Sequence, residues 1–213
     1  MTYYAFPLGP LETNCYLLSD PAGKSLLIDP VIASPEIEET IRAKKLTLEA
    51  IAITHSHMDH VHAAAEYAAL YKVPVLMHDA AEKLRAFYAE SCQWLGFPVN
   101  ELIKNYLPLN KMKTLSVGSE TMTVLTTPGH SPCGISLVGG ELVVTGDVLF
   151  QGSVGRYDLP FASLPQLYTS LKKLAALPDQ LIILPGHGEV STIGAEKAEN
   201  PYLRTVPGGK EDI

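Results

Sequence analysis

The segment THSHMDH, residues 54–60, places three histidines and an aspartate within six positions. His55 and His57 follow the apolar strand candidate LEAIAIT. In extended backbone, side chains at positions i and i+2 point the same way, so these two could converge on one point. Asp59 and His60 come as the chain bends towards a helix and could face a second point nearby. Imidazole and carboxylate groups bind transition metals. The segment therefore predicts a metal site, and four adjacent ligand-type residues make a pair of metal ions plausible.

Three further predicted strand ends each carry one ligand-type residue beside a glycine. His130 lies in TTPGHSPCG, Asp147 in LVVTGDVLF and His187 in LIILPGHGE. Rigid loops that follow strands are where protein sites are commonly built. A single metal site would account for five of the seven histidines. The alternative for residues 54–60 is a solvated polar loop, which would leave the other three strand ends unexplained.

Other residues of these types are expected to have structural roles. His62, on the first turn of the predicted helix, is expected at the surface or behind a metal ligand. His78, at the end of PVLMH, is expected to be structural. Cys133, near His130, is expected to be a small buried residue rather than a ligand or a nucleophile.

Composition limits the possible partners. The chain has 213 residues, of which 46% are hydrophobic and 18% charged, with a formal charge of −7. A chain this acidic, without a cluster of basic residues, is a poor candidate for nucleic acid or an anionic membrane. It has no apolar run of about 18 residues and no features of a secretory signal. Three cysteines without a CxxC pair favour a reducing compartment. We expect a cytoplasmic protein with a small-molecule substrate, and the oligomeric state stays unknown.

The predicted elements form two groups of strands with helices around them, rather than a strict βαβ alternation. Strands are predicted at residues 3–6, 15–18, 25–28, 48–54 and 73–77, and again at 122–125, 135–138, 142–144 and 181–184. Helices are predicted at residues 35–45, with Ser34 as the N-cap, and at 61–71, 164–176 and 193–198.

Residues 80–108 differ from the rest because they form a helical, aromatic-rich excursion. It contains Phe87, Tyr88, Phe97, Tyr106 and Trp94, the only tryptophan of the chain. We expect these aromatics to pack on the body of the protein. The alternative is an apolar wall beside a substrate cleft.

The motifs HSHMDH (55–60), PGH (128–130), TGD (145–147) and PGHG (185–188), in this order, resemble those of the metallo-β-lactamase superfamily. The resemblance covers nearly the whole chain. It implies an α+β fold, a four-layer αβ/βα sandwich of two mixed β-sheets with helices on the outer faces. A single domain over residues 1–213 is expected, with metals at the edge where the two sheets meet.

The resemblance also implies roles for individual residues. Seven side chains would hold two divalent metal ions: one through His55, His57 and His130, the other through Asp59, His60 and His187, with Asp147 bridging them. Asp59 would also be catalytic, because it could direct a hydroxide that bridges the metals. Asp29 matches a family aspartate and would orient a ligand, unless it only forms an Asp-Pro turn. Zinc is the expected metal, with iron or manganese as alternatives.

Within the superfamily, residues 145–160 and 14–17 resemble the glyoxalase II-like branch, which hydrolyses thioesters of glutathione. A basic residue at the position of Arg156 contacts glutathione in that branch, so Arg156 and Tyr157 are expected to bind substrate. The chain resembles the short form without the C-terminal helical domain. Antibiotic hydrolysis is disfavoured, because Asp147 stands where one major class of β-lactamases has a cysteine.

The expected function is thus metal-dependent hydrolysis of an S-acylglutathione-like thioester. One alternative with the same fold is a mononuclear-iron persulfide dioxygenase, with iron held by residues matching His55, His130 and Asp147. Two histidines and one carboxylate are typical of oxygen-activating Fe(II). A nuclease is disfavoured by the acidic charge.

Overall fold

The computed structural model describes residues 1–100 and 103–204, whose strands form two six-stranded mixed sheets. The first sheet has the order β1 (Thr2–Leu8), β2 (Thr13–Ser19), β3 (Lys24–Ile28), β4 (Thr47–Ala52), β5 (Val75–Met77) and β6 (Leu107–Pro108). The second runs from β12 (Ser191–Thr192) through β11 (Ile182–Pro185), β10 (Leu142–Gly146), β9 (Ile135–Gly139) and β8 (Glu120–Thr126) to β7 (Thr114–Val117).

Helices cover the outer face of each sheet. They are α1 (Pro35–Ala43), α2 (Met58–Val61), α3 (Ala64–Tyr71), α4 (Arg85–Leu95), α5 (Leu164–Ala175), α6 (Ile193–Glu199) and α7 (Pro201–Arg204), with short 3₁₀ turns at Asp79–Leu84 and Leu109–Lys111. Residues of α1, α3 and α4 share one apolar cluster with the first sheet, and residues of α5 and α6 share another with the second. The predicted α+β class and four-layer sandwich are confirmed.

Strand β2 shows why the two sheets stack. All seven of its residues are buried, as expected for a strand covered on both faces. Because side chains alternate along a strand, Leu17 packs with the helices while Tyr16 and Leu18 join the cluster between the sheets. Met122 and Leu137 belong to that same inner cluster from the second sheet. The core between the sheets thus fixes their relative position.

Two parallel strand pairs bring candidate site residues to one edge of the sheets. β3 pairs parallel with β4, and β10 with β11. Asp29 directly follows β3, Asp147 directly follows β10, and His187 comes two residues after β11. The two sheets are tied together here, because the Asn14 N–H donates to the Gly186 carbonyl at 2.8 Å and the Ile135 N–H to the Thr54 carbonyl at 2.8 Å. The predicted strand ends therefore meet.

The helix predicted over residues 61–71 is interrupted. α2 ends at Val61 and α3 begins at Ala64. The Ala63 N–H donates to the Pro30 carbonyl at 3.0 Å instead of continuing the helical pattern. Of the two positions expected for His62, the surface is wrong, because the side chain is buried. Its Nε2–H donates to the Pro98 carbonyl at 3.0 Å.

The expected cap of α1 is only partly right. The helix begins at Pro35 with Ser34 in the N-cap position, but the Ser34 side chain makes no capping hydrogen bond. Its backbone N–H instead donates to the Tyr67 hydroxyl at 2.8 Å. The start of α1 is thus held by Tyr67 of α3, and not by a side-chain cap.

The aromatic excursion combines both interpretations. Phe97 and Tyr106 pack against the main core, as expected. Trp94 does not, because 77% of it is exposed. Residues 101 and 102 of the excursion lie outside the described part. Across residues 1–100 and 103–204, no helix combines the length and apolarity needed to cross a membrane.

A glycine next to one candidate ligand gives a test of this packing. Gly129 has φ +147°, and a Cβ there would lie 2.4 Å from the Leu167 backbone nitrogen in the first turn of α5. We expect Gly129→Ala to lower the free energy of unfolding by about 3 kcal/mol, through a forced shift of α5. The control is Gly140→Ala, with φ +58° and no atom within 4 Å of the new Cβ, which should cost only about 1 kcal/mol of backbone strain. Equal losses in urea unfolding would contradict the close approach of α5.

Candidate metal centre

All seven residues predicted from the sequence as metal ligands come together at the edge where the sheets meet. They form three overlapping groups whose ligand atoms lie within 4.8 Å of one another: His55, His57 and His130; His55, His60 and Asp147; and Asp59, His60 and His187. Five of the seven are buried, and His57 and His187 are half-buried. The convergence that the sequence predicts is therefore present, although the ligand roles themselves stay predictions.

Access to the centre is through His57 and His187, the two half-buried residues of the seven. Both half-buried rings line a cavity that opens to solvent. The centre is thus enclosed on the side of the sheets and reachable from the side of the cavity.

The first group consists of three imidazole rings that point ring nitrogens at one another. The Nδ1 atom of His57 lies 3.0 Å from Nε2 of His55 and 2.8 Å from Nε2 of His130. One shared proton can satisfy only one such pair of nitrogens. The geometry suits a single cation that accepts all three lone pairs.

The group of Asp59, His60 and His187 adjoins these three rings, and Asp147 lies between the two. Oδ2 of Asp59 lies 3.4 Å from Nε2 of His60 and 3.3 Å from Nε2 of His187. Asp147 faces both groups: Oδ1 lies 3.4 Å from Nε2 of His60, and Oδ2 lies 3.5 Å from Nε2 of His130. This position between the groups is the one that a bridging carboxylate needs.

The outward-facing nitrogens fix the orientation of three rings. The Nδ1–H of His130 donates to the Arg156 carbonyl at 2.8 Å, and that of His187 donates to the Leu11 carbonyl at 3.0 Å. The Nδ1–H of His60 donates to Oδ2 of Asp29 at 2.9 Å. When Nδ1 carries the proton of a neutral ring, Nε2 carries a lone pair. In their neutral form, all three rings therefore aim a lone pair at the centre.

Asp29 reaches a fourth ring through Thr54. The Thr54 hydroxyl and backbone N–H both donate to Asp29. The hydroxyl oxygen can then accept a hydrogen bond from Nδ1 of His55, 3.2 Å away, which leaves the lone pair on Nε2 of His55. Asp29 thus contacts the ring of His60 directly and the ring of His55 through Thr54. It also has φ +52°, so it forms the turn after β3 as well, and its two expected roles are compatible.

Two buried atoms test whether a cation fits. Nε2 of His60 and Oδ1 of Asp147 have no hydrogen-bond partner. A charge-assisted N–H···O bond would be about 2.7–2.9 Å long, whereas these atoms are 3.4 Å apart. A buried carboxylate without a partner is costly, and a cation between the two atoms would remove that cost. The donor set of imidazoles and carboxylates therefore fits divalent metal ions.

Burial and neighbouring groups shift the pKa values of the candidate ligands. Burial and the neighbouring His130 lower the pKa of His57 to about 3, so this ring is neutral at pH 7. Although burial raises the pKa of Asp59, His60 and His187 lower it to about 2. Burial likewise lowers the pKa of His187, but hydrogen bonds to Asp147 and Asp59 raise it to about 9. The carboxylates thus demand positive charge, from protons or from metal ions.

Residues of β2 hold the His187 loop, and sequence reasoning gave them no such role. The Asn14 side chain donates to the Pro185 carbonyl at 3.0 Å and to the Gly188 carbonyl at 2.9 Å. The Thr13 hydroxyl donates to Oδ2 of Asp59 at 3.1 Å. In the sequence, Asn14 belongs only to the motif at residues 14–17, Thr54 is marked only by its place before His55, and Thr13 carries no signal.

The other candidates fall in different places. Cys133 is buried as expected, and the Ser56 N–H donates to its sulfur at 3.4 Å. His78 is structural as expected, because its Nδ1 accepts from the Ala80 N–H at 2.9 Å. Arg156 lines the cavity, with its guanidinium paired to Asp158 at 2.9 Å. Tyr157 is exposed and is not among the cavity-lining residues, so the structure gives no support to its expected substrate contact.

A cavity of about 1050 Å³ opens over the centre. Its floor includes His57, Asp59, His130, Asp147 and His187. A pocket of this size that ends on groups able to hold a metal ion is typical of an enzyme site for a small molecule.

Comparison with known proteins agrees with this fold and site. The metallo-beta-lactamase superfamily pattern matches residues 8–187. The chain belongs to this superfamily. It is 34% identical over 214 residues to the probable metallo-hydrolase YqgX of Bacillus subtilis, covering 95% of this chain and 98% of that protein. It is 32% identical over 210 residues to the hydroxyacylglutathione hydrolase GloC of Haemophilus influenzae, covering 96% and 99%.

Solved structures give the same result. A B3 metallo-beta-lactamase, BLEG-1, has a TM-score of 0.84 and 32% identity, covering 95% of this chain and 99% of that one. TTHA1623 in a di-iron-bound form has a TM-score of 0.84 and 35% identity, covering 94% and 100%. ETHE1 from Myxococcus xanthus has a TM-score of 0.76 and 29% identity, covering 94% and 84%.

Removal of metal tests the centre directly. Because bound cations offset the repulsion between inward-facing groups, we expect chelator-treated protein to gain roughly 5–10 °C in melting temperature when Zn²⁺, Fe²⁺ or Mn²⁺ is added at about a hundredfold excess over Kd. His187→Ala should lose most of this gain. His78→Ala, a histidine outside the centre, should keep it. A parent protein whose melting temperature ignores all three ions would contradict the assignment.

Proposed function

We propose that this protein is a metal-dependent hydrolase that cleaves a thioester of the S-acylglutathione class. The observation that carries the proposal is the position of Asp147 between two adjoining groups of ligand-type atoms at the floor of an open cavity. The similarity to GloC, whose name describes hydrolysis of a hydroxyacylglutathione, supports the thioester as the bond that is cleaved.

The cofactor in this proposal is a pair of divalent cations. His55, His57 and His130 would hold one, Asp59, His60 and His187 the other, and Asp147 both. When bound, two such cations activate water at neutral pH and polarise a carbonyl group. We propose zinc, with iron or manganese as alternatives, since imidazole and carboxylate accept all three. The similarity to a di-iron-bound protein supports iron as an alternative to zinc.

Asp59 is the proposed catalytic residue of the chain. Its carboxylate lines the cavity, and the Thr13 hydroxyl holds Oδ2 from behind. With a pKa of about 2, set by His60 and His187 against the effect of burial, it is ionised at neutral pH. It can therefore accept a hydrogen bond from the attacking water and fix the direction of attack.

No protein nucleophile is required. Ser56 lines the cavity, but its hydroxyl donates to the Ala81 carbonyl at 3.2 Å, and Cys133 is buried. A thiol leaving group has a pKa of about 8.5, so it departs as the thiolate without a strong general acid. Arg156, which lines the cavity, is proposed to contact the thiol part of the substrate.

The persulfide dioxygenase alternative is supported by one group of residues. Oδ2 of Asp147 lies 3.5 Å from Nε2 of His130 and 4.0 Å from Nε2 of His55, which forms a two-histidine, one-carboxylate set. Similarity to ETHE1 and to a di-iron-bound protein is compatible with iron. Under this alternative, however, His57, His60 and His187 would converge on the centre without a ligand role. We therefore favour the hydrolase.

Substitution of the proposed ligands tests hydrolysis. We expect Asp147→Ala and His57→Ala to abolish release of thiol from S-lactoylglutathione, because each removes a ligand, while the far-UV circular dichroism stays that of the parent. Asp59→Asn should lower the rate by about 10²–10⁴-fold, through loss of the proton-accepting carboxylate. His78→Ala serves as a control and should retain the parent rate. Variants of Asp147 and His57 that hydrolyse at the parent rate would refute the mechanism.

Two further assays separate the alternatives. Oxygen uptake with glutathione persulfide and no thiol release from thioesters would favour the dioxygenase. Hydrolysis of a β-lactam faster than any thioester would instead favour the activity named for BLEG-1.

A further inference from the structure

The wall of the cavity is mostly hydrocarbon. Helix α4 contributes one side through Phe87, Tyr88 and Trp94. Phe150 and Leu159, from the segment after β10, also line it. The cavity therefore presents apolar surface from two separate parts of the chain.

Large apolar side chains remain exposed at the mouth. Trp94 is 77% exposed, and Phe161 is 54% exposed although its ring lies 5.8 Å from that of Phe87. Leu11, which lines the cavity, is 43% exposed. Apolar surface gathered around a concave site gains free energy when a ligand covers it. The mouth is thus suited to an apolar group rather than to a hydrated one.

Lysine and arginine side chains are scarce in the same cavity. Among its lining residues, all within the described ranges, Arg156 is the one lysine or arginine. Its guanidinium is engaged by Asp158 through contacts of 2.9 and 3.0 Å. Glu90, on the α4 side, is acidic. Outside the candidate metal centre, Arg156 is therefore the lining side chain that an anionic part of the substrate can approach favourably.

We infer that the cavity selects thioesters with an extended apolar acyl group, which lies against Phe87, Tyr88 and Trp94 while the thiol part lies towards Arg156. This inference rests on the proposed thioester hydrolysis and adds the substrate class to it. A small hydroxylated acyl group such as lactoyl would leave the α4 wall uncovered. A longer alkyl chain covers it and excludes water from the exposed tryptophan.

An acyl series on a constant thiol tests the selectivity. The substrates are acetyl-, butanoyl-, hexanoyl- and lactoyl-glutathione, with release of glutathione as the readout. We expect kcat/KM to rise about two- to fourfold for each added methylene, in line with the gain from burying a methylene group. Lactoylglutathione should fall below butanoylglutathione. In Phe87→Ala and Trp94→Ala the rise should flatten, whereas Leu70→Ala, an exposed apolar residue outside the cavity, should keep the parent slope.

A binding measurement decides the inference without turnover. Trp94 is the only tryptophan of the chain, so its fluorescence reports on the cavity wall alone. S-Hexylglutathione, a thioether that cannot be hydrolysed, should bind at least tenfold more tightly than S-methylglutathione and shift the emission to shorter wavelength. Phe87→Ala should reduce this difference in affinity, and Leu70→Ala should not.

The outcomes separate this inference from the proposed function. Equal kcat/KM across the series, in a protein that hydrolyses its members, overturns the apolar selectivity and leaves thioester hydrolysis intact. If no thioester is hydrolysed, the proposed function fails. The titration with the two thioethers then decides the inference alone: equal affinities, or an unchanged emission, overturn it.

Discussion

The structure depends on one electrostatic constraint: lone pairs and carboxylates converge where no arrangement of hydrogen bonds satisfies them all. Nitrogens of His55, His57 and His130 lie within about 3 Å of one another in two successive contacts. Oδ1 of Asp147 and Nε2 of His60 are buried without partners. A low-dielectric interior makes such unpaired groups expensive, so the site requires cations. The match to the metallo-beta-lactamase superfamily agrees with this requirement.

The fold holds these groups together through contacts on their outer sides. Asp29 accepts from His60 and, through Thr54, is connected to His55. The carbonyls of Leu11 and Arg156 accept from His187 and His130. Contacts of this kind set the tautomer and direction of a ligating imidazole. Even the Pro-Gly turn before His187 is constrained, because a Cβ on Gly186 would lie 2.0 Å from Oδ1 of Asp147. The centre is thus part of the packing of the sheet edge.

The sequence predicted which seven side chains converge, because they follow strands whose apolar pattern is local. It could not predict the carbonyl acceptors, since every residue carries a carbonyl and only the fold decides which one faces His130 or His187. The burial of His62 was missed for a similar reason: its hydrogen-bond acceptor, the Pro98 carbonyl, is distant along the chain. Strand β6, Leu107–Pro108, is too short to show a period. The exposure of Trp94 contradicts the usual preference of tryptophan for burial, and the cavity beside it supplies the physical reason.

The most direct test of the central claim is anomalous X-ray scattering from crystals of the protein purified with its metals. The account predicts two peaks: one in contact with His55, His57 and His130, the other in contact with Asp59, His60 and His187, with Asp147 touching both. Peaks absent from this centre in metal-replete crystals, or an Asp147 or His187 side chain turned away from every bound ion, would contradict it.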